Sequence, residues 1–148
     1  MQAVIEQVSA DQLKYGEARQ GPATSEQIER VRAEVKAHFG ATLPSDFAAF
    51  LALSNGLDYN GLVLYGATQS EAAPGPNGFW QGLVASNAAW RDGPGHEHYL
   101  VLGETDMDLL TVALDGRSPV LRDKVSGDVN EEFASVGAAI DALLERRL

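Results

Sequence analysis

At 148 residues, with 45% hydrophobic and 22% charged side chains, the chain has the length and composition of one globular domain spanning residues 1–148, long enough to bury a core without staples. It contains no cysteine, which removes disulfide frameworks, thiolate metal sites and cysteine nucleophiles together. With 21 acidic residues against 11 basic ones the net charge is −10, a sign that repels phosphate backbones and anionic lipid and attracts basic proteins, so no nucleic acid and no membrane is expected as a partner.

The opening Met1-Gln2-Ala3-Val4-Ile5-Glu6 lacks the basic and apolar stretches of a secretory leader, and the apolar run Phe47 to Leu53 is too short to span a bilayer. A cytoplasmic protein is expected. Val4, Ile5, Val8 and Leu13 predict an amphipathic helix over roughly Gln2 to Tyr15. After a loop around Gly21-Pro22, Thr24 and Gln27 form the pattern of a capping box, and Ile28, Val31, Val35 and Phe39 mark the buried face of a second helix that Gly40 stops. In Leu43-Pro44-Ser45-Asp46-Phe47 the proline suits the first helical turn and Asp46 the positive helix end. Phe47, Phe50 and Leu51 then predict a core helix, closed by a left-handed residue in Asn55-Gly56.

Asn60-Gly61 signals a turn into a strand over Leu62 to Tyr65. Ala67 to Gly78, with Pro74-Gly75-Pro76-Asn77-Gly78, reads as an exposed loop, followed by a helix over Gln81 to Arg91 that Trp80 flanks and that carries Trp90, both tryptophans being assigned to the core. Three β-rich runs follow at Tyr99 to Leu102, Leu109 to Leu114 and Val120 to Leu121, and Asp115-Gly116 signals a hairpin between the last two. Short connections require antiparallel pairing, and Pro119 places its strand at an edge or a bulge. Phe133, Val136, Ile140, Leu143 and Leu144 predict a terminal helix with Glu131 and Glu132 in its first turn and Arg146 and Arg147 in its last. Helices, then strands, then a helix indicate an α+β fold with an antiparallel sheet packed by N-terminal helices and a C-terminal helix.

The candidate chemistry is sparse. His96-Glu97-His98 on a strand would put two imidazoles on one face, but spacing supplies no third ligand, so His96 and His98 are read as ordinary exposed histidines and no metal is assigned. Glu104-Thr105-Asp106-Met107-Asp108 offers alternating carboxylates; an EF-hand loop beginning at Asp106 would need glycine and glutamate where Thr111 and Arg117 stand, so the segment is read as a solvated acidic turn. Nucleophile elbows, phosphate-binding glycine loops and dinucleotide fingerprints are absent, so no cofactor and no enzymatic activity is expected. The charge is uneven: Asp92 to Asp141 carries 11 acidic and 3 basic residues, a net of −8, whereas Met1 to Thr42 carries 6 and 5, a net of −1. An acidic contact for a basic partner is therefore placed on Asp92, Glu97, Glu104, Asp106, Asp108, Asp115, Asp123 and Asp128.

The run from Leu43-Pro44 through Phe47, Phe50-Leu51 and Asn55-Gly56, led in by Gly40, resembles the signature of the SUKH superfamily, the Smi/Knr group. Its continuation through Tyr59-Asn60-Gly61 to Gly66 looks like the YrhA-like branch. The resemblance implies a SUKH-like fold without catalytic machinery, whose bacterial members act as immunity proteins that bind and neutralise a cognate toxin, many of these toxins being nucleases. It implies, as an alternative, a regulatory or scaffolding interaction module like that of eukaryotic relatives. The motif residues Gly40, Leu43, Pro44, Phe47, Phe50, Leu51, Asn55, Gly56, Tyr59, Asn60 and Gly61 are assigned to the scaffold, since capping, packing and turns account for them.

Overall fold

Helix α1, Gln2–Lys14, turns Val4, Ile5 and Val8 inward, and its buried Gln12 donates from Nε2 to the Asp58 carbonyl over 3.1 Å. The computed structural model describes residues 1–68 and 81–148; the Pro74–Gly78 loop and Trp80 of the sequence reading lie outside them. Helix α2, Ser25–Phe39, opens on the expected capping box: Thr24 Oγ1 accepts from the Gln27 N–H at 3.1 Å and Gln27 Oε1 accepts from the Thr24 N–H at 2.9 Å. Gly40 ends it at φ 62°, the left-handed conformation that glycine enters without steric cost.

Helix α3, Ser45–Leu53, buries Phe47, Phe50 and Leu51 completely. Pro44 precedes its first turn rather than occupying it: the ring holds an extended residue at ψ 139° whose carbonyl accepts from the N–H groups of Phe47 and Ala48. Asp46 lies in the first turn of α3 as expected, and its Oδ2 also accepts from the Gly137 N–H at 2.9 Å, at the positive end of another helix. Asn55-Gly56 does not close α3. Ser54 is already extended at φ −153°, and the positive φ of 88° falls on Gly56, at the entry to the sheet.

Two strands absent from the sequence reading complete a six-stranded antiparallel meander in the order β1-β2-β3-β4-β5-β6. They are β1, Leu57–Tyr59, and β6, Val129–Glu132, flanking β2 (Leu62–Leu64), β3 (Tyr99–Glu104), β4 (Asp108–Ala113) and β5 (Val120–Asp123). Asn60 at φ 45° and Gly61 at φ 79° join β1 to β2 as a two-residue turn with both central angles positive. Asp115-Gly116 does sit between paired strands, but the connection runs from Leu114 to Pro119 rather than as a tight two-residue turn. Pro119 is not on an edge strand, since β6 pairs beyond β5; a register irregularity falls instead at Leu121/Arg122. Glu131 and Glu132 belong to β6 and Phe133 follows it, so α5, Val136–Glu145, begins later than expected, with Ser135 Oγ accepting from the Ala138 N–H. The terminal helix slipped in the sequence reading because acidic residues read equally well as a first turn and as an exposed edge strand.

Residues paired across the sheet share a face, so Leu57, Leu64, Gly103, Leu110 and Leu121 line one side. This side is tied to the helices, with Tyr59 reaching Asp11 of α1 and Glu131 reaching Arg146 beyond α5. The opposite side carries the row Asp58, Val63, Glu104, Leu109, Arg122 and Val129. Helix α4, Leu83–Trp90, completes the edge of β3 where β2 stops. Its fully buried Asn87 accepts from the Val101 N–H at 2.8 Å and donates to the Val101 carbonyl at 2.8 Å, so one amide continues the strand ladder. The α+β class with helices before and after an antiparallel sheet is thus as expected. Among the described residues no helix is long and apolar enough to cross a membrane.

Candidate functional site

The expected acidic contact divides in three dimensions. The β3–β4 and β5–β6 turns lie at one end of the sheet, because Asp108 pairs with Asp123 and Lys124 N–H donates to the Met107 carbonyl at 3.0 Å. Glu104, Asp106, Asp108, Asp123 and Asp128 therefore gather at this end, with Asn130 Nδ2 donating to Asp108 Oδ1 at 2.8 Å. Asp115 belongs to the β4–β5 connection at the far end, where Gly116 approaches Thr42. Asp92 and Glu97 lie within the segment that joins α4 to β3. Asp115 is thereby parted from the five gathered carboxylates, because alternate hairpin connections of a meander fall at opposite ends.

Nor are the five gathered carboxylates equivalent. Asp123 Oδ1 accepts from the N–H groups of Ser126 and Val125 at 2.7 and 2.8 Å, and these backbone bonds, Ser126 first, hold its carboxyl below the usual range. Asp106 is exposed at the turn, and a side chain built on Gly61 would come within 3.9 Å of its oxygens. Glu104 turns inward: it accepts from the Tyr65 hydroxyl and from Lys124 Nζ at 3.3 Å, with only 25% of its side chain exposed. Through these two bonds it anchors the turn.

Glu104 is the centre of a cluster that the sequence reading missed. Trp90 Nε1–H donates to the Tyr65 oxygen at 2.9 Å, Tyr65 donates to Glu104, and Lys124 closes the chain from the other side. Burial, and then the Glu104 carboxylate, push the Tyr65 phenol far above its ordinary range, so it stays protonated as a donor. Beside it the Arg122 guanidinium lies 4.4 Å from the Tyr99 ring centroid, while Arg122 Nε donates to Thr111 Oγ1 at 3.2 Å. These groups satisfy one another and hold the β3–β4 turn against β5 and α4. A signal for the cluster was present: of three basic residues in the acidic stretch from Asp92 to Asp141, Arg122 and Lys124 are spaced by two, as partners on one strand face must be.

His96-Glu97-His98 is not a strand. Gly95 at φ 92° starts a single 3₁₀ turn there, and β3 begins only at Tyr99. The imidazoles part accordingly: His96 Nδ1 lies 2.6 Å from the Tyr99 hydroxyl and His98 Nε2 lies 3.3 Å from Glu97. Among the described residues no group of three or more His, Cys, Asp or Glu side chains could hold a metal ion.

The motif residues have structural tasks. Asn55 Oδ1 accepts from the Ala67 N–H at 2.7 Å and Asn55 Nδ2 donates to Thr68 Oγ1 at 3.0 Å, tying the end of α3 to the exit from β2. Tyr59 donates to Asp11 Oδ2 at 2.6 Å, and this bond, with burial, pushes its phenol up to about 12.

No family model and no curated protein matches the chain. Among solved structures, a protein from Pseudomonas syringae pv. tomato superimposes with a TM-score of 0.64 over 98% of this chain and 99% of that one, at 20% identity. The likeness is one of fold. An architecture shared across nearly the whole of both chains carries no assignment of activity by itself, since sites vary on a common scaffold.

Proposed function

We propose that this chain is an immunity protein of the SUKH superfamily, in its YrhA-like branch, which binds a cognate bacterial toxin in the cytoplasm and neutralises it by direct protein–protein inhibition, with no cofactor and no chemistry of its own. The observation that carries this reading is the resemblance of Gly40 to Gly66 to the SUKH signature. The charge supports it: a net of −8 between Asp92 and Asp141 suits a basic partner, and a nuclease toxin must present positive charge to hold phosphates. Asp106, Asp108, Asp123 and Asp128 stand at one end of the sheet, where they can raise the association rate with such a partner and fix its orientation. Neither nucleic acid nor membrane is a partner in this reading.

Co-expression with the product of the adjoining gene, tested as the toxin, tests it. Restored growth together with a complex that survives gel filtration is the expected result. Failure of both overturns the assignment.

A further inference from the structure

The turns at the acidic end also present apolar side chains that the core does not use. Met107, in the β3–β4 turn, is 68% exposed, and Val125, in the β5–β6 turn, is 97% exposed. The bond from the Lys124 N–H to the Met107 carbonyl places the two turns side by side, and the Tyr65–Glu104–Lys124 chain fixes their base. Isolated exposed apolar residues are ordinary on protein surfaces. Two on adjoining, braced turns inside a field of carboxylates have the layout of an interface: an apolar centre that is desolvated on binding, within a polar rim.

The charge selects the occupant. A second copy of this chain would bring Asp106, Asp123 and Asp128 against themselves, and like charges facing one another oppose association. A basic protein surface with an apolar recess meets both requirements. We infer that Met107 and Val125 form a paired anchor that enters such a recess on a basic protein partner, while Asp106, Asp123 and Asp128 form its charged rim. This deepens the toxin-binding reading, on which it rests, by naming the surface and excluding Asp115 from it.

Binding of the full chain to the purified product of the adjoining gene, measured at low and at physiological salt, tests the inference. The variant carrying Met107→Ala and Val125→Ala should bind about tenfold more weakly or worse, mainly through faster dissociation. Asp106→Asn with Asp128→Asn should slow association several-fold and flatten its salt dependence. Asp115→Asn, at the far end of the sheet, should leave Kd within about twofold, as expected for a site outside the interface. Circular-dichroism melts confirm that the variants, altered only at exposed turns, remain folded. Wild-type affinity in the Met107/Val125 variant overturns the anchor and leaves the toxin-binding reading standing. A wild-type chain that forms no complex overturns both. A wild-type dimer that the same variant dissociates would make a second copy the occupant, and also overturns the inference.

Discussion

Replacing Asn87 by alanine is the most direct test of how α4 is held. The side chain is fully buried, accepts from the Val101 N–H, donates to the carbonyls of Val101 and Leu83, and accepts from Arg91 Nη1 at 3.2 Å. Truncation leaves both Val101 backbone groups without this partner beside an apolar core, at about 1–3 kcal/mol for each buried group. The better helix propensity of alanine returns only about 0.5 kcal/mol. The net expectation is a loss of about 2–5 kcal/mol, a large part of the ~5–15 kcal/mol that stabilises an ordinary domain. Urea unfolding followed by Trp90-sensitive fluorescence and by far-ultraviolet circular dichroism measures it. Asn87→Asp keeps the acceptor for the Val101 N–H and loses the donor while its carboxyl is ionised. Burial should raise that carboxyl, so the variant's deficit should be smallest below its unfolded value of about 4 and grow as pH rises through the folded value. A loss below about 1 kcal/mol in Asn87→Ala would refute the argument, because it would mean that the amide is not what satisfies the edge of β3.

Gly103→Ala should be more damaging than its size suggests, since a Cβ there would stand 2.3 Å from the Val63 carbonyl oxygen and 2.9 Å from Leu64 Cδ2. Separating β2 from β3 should cost about 3 kcal/mol or more, read as a lowered urea midpoint. The Tyr59 phenol is raised to about 12 in the folded chain, so its contribution to stability is fully present below pH 10 and is lost as pH rises towards 12. Tyr59→Phe should abolish that component of alkaline destabilisation, and an unchanged alkaline unfolding profile would contradict the Asp11 bond as its cause. Thr24→Ala removes the capping-box acceptor and should cost about 1 kcal/mol in thermal unfolding.

What was legible in the sequence was what local physics decides. The capping box at Thr24, the left-handed stop at Gly40 and the Phe47, Phe50, Leu51 stripe each follow from a few neighbouring residues, and each is observed. The two edge strands were missed for a common reason. At three and four residues, β1 and β6 are too short to show an alternating pattern, and β6 is held by pairing with β5 and by the Glu131–Arg146 contact rather than by its own propensity. The Trp90–Tyr65–Glu104–Lys124 chain leaves only the Arg122/Lys124 spacing as a trace in the sequence, because it joins four separate segments whose members become neighbours only once register is set. The separation of Asp115 from the other carboxylates is illegible for the converse reason: residues close in sequence need not be close in space, and a meander sends alternate loops to opposite ends.

The scaffold motif and the proposed docking surface look separate along the chain, but they adjoin in the fold. The motif includes the Asn60-Gly61 turn, which lies at the same end of the sheet as the acidic turns because β2 pairs with β3 through Val63 and Glu104. Asn60 Nδ2 donates to the Arg147 carbonyl at 3.0 Å, and the open side of Gly61 faces Asp106. A side chain at position 61 would meet those carboxylate oxygens at ordinary contact distance and would also have to adopt φ 79°, which any residue but glycine enters at a cost. The turn therefore leaves Asp106 room beside it while keeping the β1–β2 hairpin tight. Residues assigned to folding alone thereby help to place the rim of the proposed contact, so Gly61→Ala should weaken that proposed contact, read as a raised Kd for the partner, more than its distance from Met107 along the chain would suggest.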